Sequence, residues 1–185
     1  MKIIQLCFLL FAYTSFIFSN TVSTGHAEVS IVKSTIVSNE NELIIGVKMD
    51  MQDHWHTYWK NPGDSGGPVE ITWEMPKGYE VSDILWPTPS LIPYPPLMTY
   101  GYENFVIFPI LIKIPEENIS DKFSADIDFL ICDDICVPER ALIETSFSEL
   151  SSDANLDEIY RKISSIVLPV ITNVKNNNLE LRFSF

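Results

Sequence analysis

Apolar and polar positions alternate with a period of two through the middle of the chain. Ala125, Ile127, Phe129 and Ile131 interleave with Asp126, Asp128 and Leu130, the pattern of a strand that buries one face. Short runs rich in β-branched and aromatic residues cover 29–37, 42–49, 69–73, 104–114, 123–132 and 141–150, each bounded by Gly, Pro, Asn or Asp. Strands at that spacing predict an all-β sandwich. Pro109 falls inside the fourth run and cannot donate to a ladder, so that strand is expected at an edge or with a bulge. After Leu150 the period lengthens. Leu156, Ile159, Tyr160, Ile163, Ile166 and Val167 recur at three and four residues behind a cap at Ser152 or Asp153, which predicts one amphipathic helix over 151–169, ended by Pro169. Residues 170–185 follow as a polar linker, centred on 173–178, and a strand-like tail.

The first 27 residues follow another rule. Lys2 gives a positive start, 3–18 is apolar apart from Gln5, Tyr13, Thr14 and Ser15, and Gly25-His26-Ala27 offers small residues where a signal peptidase reads them. At 16 residues the apolar run is shorter than the roughly 20 that span a bilayer. The expectation is a secretory signal over 1–27, cleaved after Ala27 and taking Cys7 with it. Residues 28–150 then form one domain with its own core.

Removal of Lys2 takes the formal charge from −13 to −14, which disfavours nucleic acid and anionic membrane surfaces as partners. Export also leaves two cysteines, Cys132 and Cys136, at the end of the clearest strand and the start of the next. Fully extended, their α-carbons would stand about 13 Å apart, whereas a disulfide needs roughly 4.4 to 6.8 Å. Asp133-Asp134 are suitable residues for the turn that closes the gap.

Three readings of that pair remain open on the residues alone. A structural bond would close a loop of about five residues and contribute only about 2 kcal/mol, little for a domain with a full core. A redox couple would have two carboxylates beside the thiols, disfavouring thiolate and favouring release of electrons. A copper(I) site could draw on Met49, Met51, His54, His56, Met98 and both cysteines, although no compact ligand motif joins them. The glycine-rich run 61–68 lacks the lysine and following helix of a phosphate-binding loop and reads as a turn. Pro93 to Tyr102 is too rich in proline for a strand interior and reads as a loop.

Four ordered motifs then carry a resemblance. His54-Trp55-His56-Thr57-Tyr58-Trp59-Lys60-Asn61-Pro62-Gly63-Asp64-Ser65-Gly66-Gly67-Pro68, Ile84-Leu85-Trp86-Pro87-Thr88-Pro89, Tyr100-Gly101-Tyr102 and Cys132-Asp133-Asp134-Ile135-Cys136-Val137-Pro138 are similar to the N-terminal periplasmic domain of the DsbD family of thiol:disulfide interchange proteins. The cysteine spacing resembles the branch containing the suppressor of copper sensitivity protein B. The resemblance implies an immunoglobulin-like β-sandwich with redox cysteines on a hairpin and a protein-disulfide reductase-like exchange activity that needs no cofactor and no metal. It implies Cys136 as the thiol that exchanges and Cys132 as its partner. Tyr100, Gly101 and Tyr102 would cap the disulfide, and His56 and Tyr58 would line the site. A thioredoxin-like protein or domain would be the electron donor and periplasmic disulfide proteins the acceptors. The family's membrane-embedded electron transporter is missing from this sequence and would reside on a separate chain.

Overall fold

The computed structural model describes residues 20–37, 41–115, 122–166, 169–175 and 178–183. In chain order its strands are β1 (Thr21–Ser23), β2 (Ala27–Lys33), β3 (Glu42–Met51), β4 (His56–Gly63), β5 (Glu70–Glu74), β6 (Glu80–Val81), β7 (Ser90–Tyr94), β8 (Leu97–Glu103), β9 (Phe105–Lys113), β10 (Lys122–Cys132), β11 (Cys136–Ser146), β12 (Pro169–Lys175) and β13 (Asn178–Phe183), with helix α1 (Ala154–Ile166) between β11 and β12. One sheet runs β1-β2-β3-β9-β6, and the other β11-β10-β4-β8-β7 with β5 beside β10. The described residues form an immunoglobulin-like β-sandwich with a single short helix.

Alternation places the core between the sheets. Ile45, Val47, Met49, Phe108, Ile110 and Ile112 from the first meet Ala125, Ile127, Phe129, Ile131 and Ile143 from the second. The period-two stretch is β10, paired in unbroken register with β11 from Lys122↔Ser146 to Cys132↔Cys136. Pro109 sits opposite Gly46 of β3 without a bulge. Its carbonyl accepts from Leu85 N at 2.9 Å. A residue's carbonyl and nitrogen lie on the same side of a strand, so the missing donor faces an irregular segment and costs the β3 ladder nothing.

Helix α1 begins at the expected cap, where Asp153 Oδ1 accepts from Asn155 N at 2.8 Å. Leu156 packs with Val32, Ile44 and Ile107. The Asp157 carboxylate takes hydrogen bonds from the Ser34 and Thr35 hydroxyls and from Thr35 N, which pins the helix to the chain after β2. Among the described residues no helix is long and apolar enough to cross a membrane.

The proline-rich run and the stretch beyond the helix also differ from the sequence reading. The proline-rich run is a hairpin of β7 and β8, with Pro95-Pro96, joined by a cis peptide bond, at its turn. Pro93 is tolerated because β7 is the end strand of its sheet. Beyond the helix, β12 and β13 pair with each other, so residues 173–175 of the expected linker are strand.

Residues 1–19, including Cys7, lie outside the described residues. Asn20 to Ala27 lie inside the fold. β1 pairs with β2 in the register Thr21↔Ser30. The His26 ring stacks on Trp55 at 3.7 Å, and its Nδ1 lies 2.6 Å from Glu139 Oε1. The Glu139 side chain is only 7% exposed, and Thr24 also donates to it. Cleavage after Ala27 would strip a buried carboxylate of these partners. The fold therefore predicts that any processing of the chain keeps Asn20 to Ala27, to be checked by intact mass; an N-terminus at Glu28 would contradict it.

Candidate functional site: a disulfide on a hairpin

The end of β10 and the start of β11 place Cys132 and Cys136 opposite one another, with the turn closed by Asp133 N donating to Ile135 O at 3.1 Å. The α-carbons approach to 4.1 Å and the sulfurs are bonded. The two ends of this bond sit in different surroundings. Cys132 is 1% exposed, whereas Cys136 is exposed to solvent.

Strand β4 supplies the wall. Cys132 pairs with His56 across the β10–β4 junction, so His56 and, two residues on, Tyr58 project beside the sulfurs. The Tyr58 hydroxyl donates to Cys132 Sγ at 2.7 Å and lies 3.3 Å from Cys136 Sγ. Burial raises the Tyr58 pKa above its ordinary 10.0, against a hydrogen bond with Ser65, so the phenol stays a proton-bearing donor. The His56 ring meets Tyr58 edge-on at 5.3 Å. Burial lowers the His56 pKa, opposed by Glu103 and Asp133, which leaves a neutral imidazole at neutral pH.

The glycine-rich run is part of this site. Strand β4 slips register against β8 between Tyr58 and Gly63, and the chain then loops back over Tyr58. Gly63 and Gly66 hold φ of 88° and 84°, the left-handed region that glycine enters freely. A β-carbon on Gly66 would lie 2.2 Å from the Tyr58 ring, so the bare backbone is seated against the ring face. Ser65 Oγ and Thr99 Oγ1, 2.7 Å apart, tie the loop to β8. His56, Tyr58, Ser65, Ile92, Leu97 and Thr99 enclose, with the cysteines and Asp133-Asp134, a cavity of about 180 Å³.

Cover over the sulfurs thus comes from Ile92, Leu97 and Thr99. Tyr100 and Tyr102, expected there, lie elsewhere. Alternation along β8 sends them to the face opposite Thr99. Tyr100 meets Trp59 edge-on at 6.4 Å. Tyr102 is 6% exposed in the core, edge-on to Phe108 at 5.3 Å, and its hydroxyl donates to Pro87 O at 2.8 Å. Gly101 contributes backbone alone, paired with Tyr58 and Ser90. Reading 97–103 as a strand would have brought out Leu97 and Thr99; Ser65 and Ile92 carry no sequence signal of their own.

Fold and site together define a β-sandwich thiol–disulfide interchange domain, with its cysteine pair at a hairpin end. The family described as thiol:disulfide interchange protein DsbD, N-terminal, matches residues 27–148, and the chain belongs to it. Among solved structures it is similar to the N-terminal periplasmic domain of ScsB from Proteus mirabilis, at 23% identity and a TM-score of 0.58 over 78% of this chain and 57% of that one. The chain therefore spans less than two thirds of that structure's length. The yeast GGA1 GAE domain aligns over 67% of this chain and 95% of its own at 9% identity, with a TM-score of 0.37. No curated protein matches the chain.

Proposed function

We propose that the chain is a periplasmic electron relay working through the Cys132/Cys136 pair. The observation that carries this reading is the asymmetry of the disulfide, with Cys136 open to solvent and Cys132 buried against the Tyr58 hydroxyl. A thiolate of a thioredoxin-like donor attacks Cys136 Sγ along the exposed side. The Cys132–Cys136 bond breaks as the mixed disulfide forms, and its electron pair leaves on Cys132 Sγ, where the Tyr58 hydroxyl donates to the new thiolate. The donor's second thiolate then attacks its own sulfur in the mixed disulfide, which releases Cys136 and carries away the donor's disulfide. Two electrons have entered the chain, and two protons from solvent complete the dithiol.

Running the same steps in reverse order of roles reduces a disulfide in a periplasmic acceptor protein. Asp133 and Asp134, both exposed beside the pair, disfavour thiolate and so favour handing the electrons on. The donor would in turn be supplied by a membrane-embedded electron transporter. Of the residues a copper(I) site could draw on, Met49 is sealed in the core and both cysteine sulfurs are tied up in the disulfide.

The test is to mix the oxidised chain with a reduced thioredoxin and follow its mass. A gain of two hydrogens within minutes is expected. No gain while the protein stays folded would reduce the bond to a staple.

A further inference from the structure

The 61–68 loop touches the site through Ser65 and Gly66 but supplies no group to the relay steps, and its glycines, serine and aspartate look like an ordinary turn. Its contacts point two ways. Toward the β7–β8 hairpin, Asp64 N donates to Met98 O at 3.0 Å and Asp64 Oδ2 accepts from Met98 N at 2.9 Å, so one residue grips both polar groups of one backbone position. Ser65 adds the bond to Thr99. Gly63, paired with Thr99, lies so close to Met98 O that a β-carbon would stand 2.4 Å from it. Toward the sulfurs, Gly66 presses on the Tyr58 ring, and Tyr58 alone of these residues reaches Cys132 Sγ.

These contacts form one chain of rigid parts, from hairpin to Asp64, to Gly66, to the Tyr58 ring, to the sulfurs. We propose that the loop is a positioning latch: Asp64 and Gly66 act through Tyr58, holding its hydroxyl on the disulfide only while the β7–β8 hairpin is seated. The proposal rests on the relay reading and deepens it. Thr99 and Leu97 of the hairpin also wall the cavity, so a partner that docks on the exposed Cys136 and leaves the hairpin seated keeps the Tyr58 hydroxyl in place as leaving-group donor, whereas one that shifts the hairpin pulls on Asp64 and loosens Tyr58 in the same movement. A tyrosine held by its own packing alone would need no loop glycine at van der Waals distance from its ring, and an ordinary turn would need no double grip on Met98.

The experiment is a double-mutant cycle on the rate at which dithiothreitol reduces the oxidised protein. Gly66→Ala drives a β-carbon into the Tyr58 ring at a left-handed position. Asp64→Ala removes the carboxylate half of the grip on Met98, leaving the backbone half, at an exposed residue away from the core, so it serves if Gly66→Ala folds poorly. Each variant is made in the natural chain and in Tyr58→Phe. The latch predicts that each slows reduction at least about threefold in the natural chain and does not slow it further once the hydroxyl is gone, because the loop works through that hydroxyl. Thermal stability should fall by the same amount in both backgrounds, which separates positioning from folding. Slowing that persists in Tyr58→Phe, or folded variants that react at the natural rate, would overturn the latch. If the unmutated protein is not reduced at all, the relay reading fails instead.

Discussion

Cys132→Ser should form a stoichiometric covalent heterodimer with a thioredoxin whose reactive cysteine is loaded with thionitrobenzoate, and Cys136→Ser should do so at least about tenfold more slowly, since access is one of the terms that set exchange rates. The free thiol of the first variant sits where solvent already reaches it, whereas that of the second is 1% exposed under Tyr58. Both variants lose the same bond, worth about 2 kcal/mol for so short a loop, so their melting temperatures should fall alike. Reactivity and stability therefore separate. Mass spectrometry of the mixture reads the yield, and equal or reversed yields would show that exposure does not choose the reacting sulfur.

Tyr58→Phe should slow reduction of the disulfide by about ten- to hundredfold. Breaking the bond puts a negative charge on Cys132 Sγ, where water has almost no access. The Tyr58 hydroxyl at 2.7 Å is the donor that replaces it, and a hydrogen bond to a charged group contributes about 1.5 to 3 kcal/mol. Its pH dependence is distinctive. Burial raises the Tyr58 pKa above 10.0, so the phenol keeps its proton throughout the neutral range, and the ratio of natural to variant rates should be flat from about pH 6 to pH 9. A ratio that collapses below pH 9 would mean that the hydroxyl is not the donor. Stability should weaken as pH rises past the ordinary tyrosine range, since the unfolded chain then ionises before the folded one.

What the sequence made legible follows the reach of its signals. β10 was readable because a strand with one buried face writes its burial as alternation, and the cysteine turn because two thiols and two aspartates sit together in the chain. The cap of α1 was readable at Asp153 for the same local reason. Tyr58 as a neighbour of Cys132 was suggested only through the family resemblance, because 74 residues separate the two and only the β4–β10 pairing joins them. The β7–β8 hairpin was hidden by its prolines, which are permitted there because β7 ends its sheet. Misreading that hairpin as a loop also misplaced the cover: a loop could lay Tyr100 and Tyr102 on the sulfurs, whereas a strand must send them to the face opposite Thr99. β1 was masked by Gly25-His26-Ala27, whose small residues suit a peptidase and also suit the turn that stacks His26 on Trp55.

The relay role depends most directly on where the disulfide sits on the redox scale. Equilibrating the purified chain in graded mixtures of reduced and oxidised glutathione or dithiothreitol, then alkylating free thiols and counting them by mass, gives the midpoint potential. The account predicts a single reversible two-electron transition between about −180 and −270 mV, the range of disulfide carriers. A midpoint below about −300 mV, where structural disulfides of exported proteins lie, would contradict it.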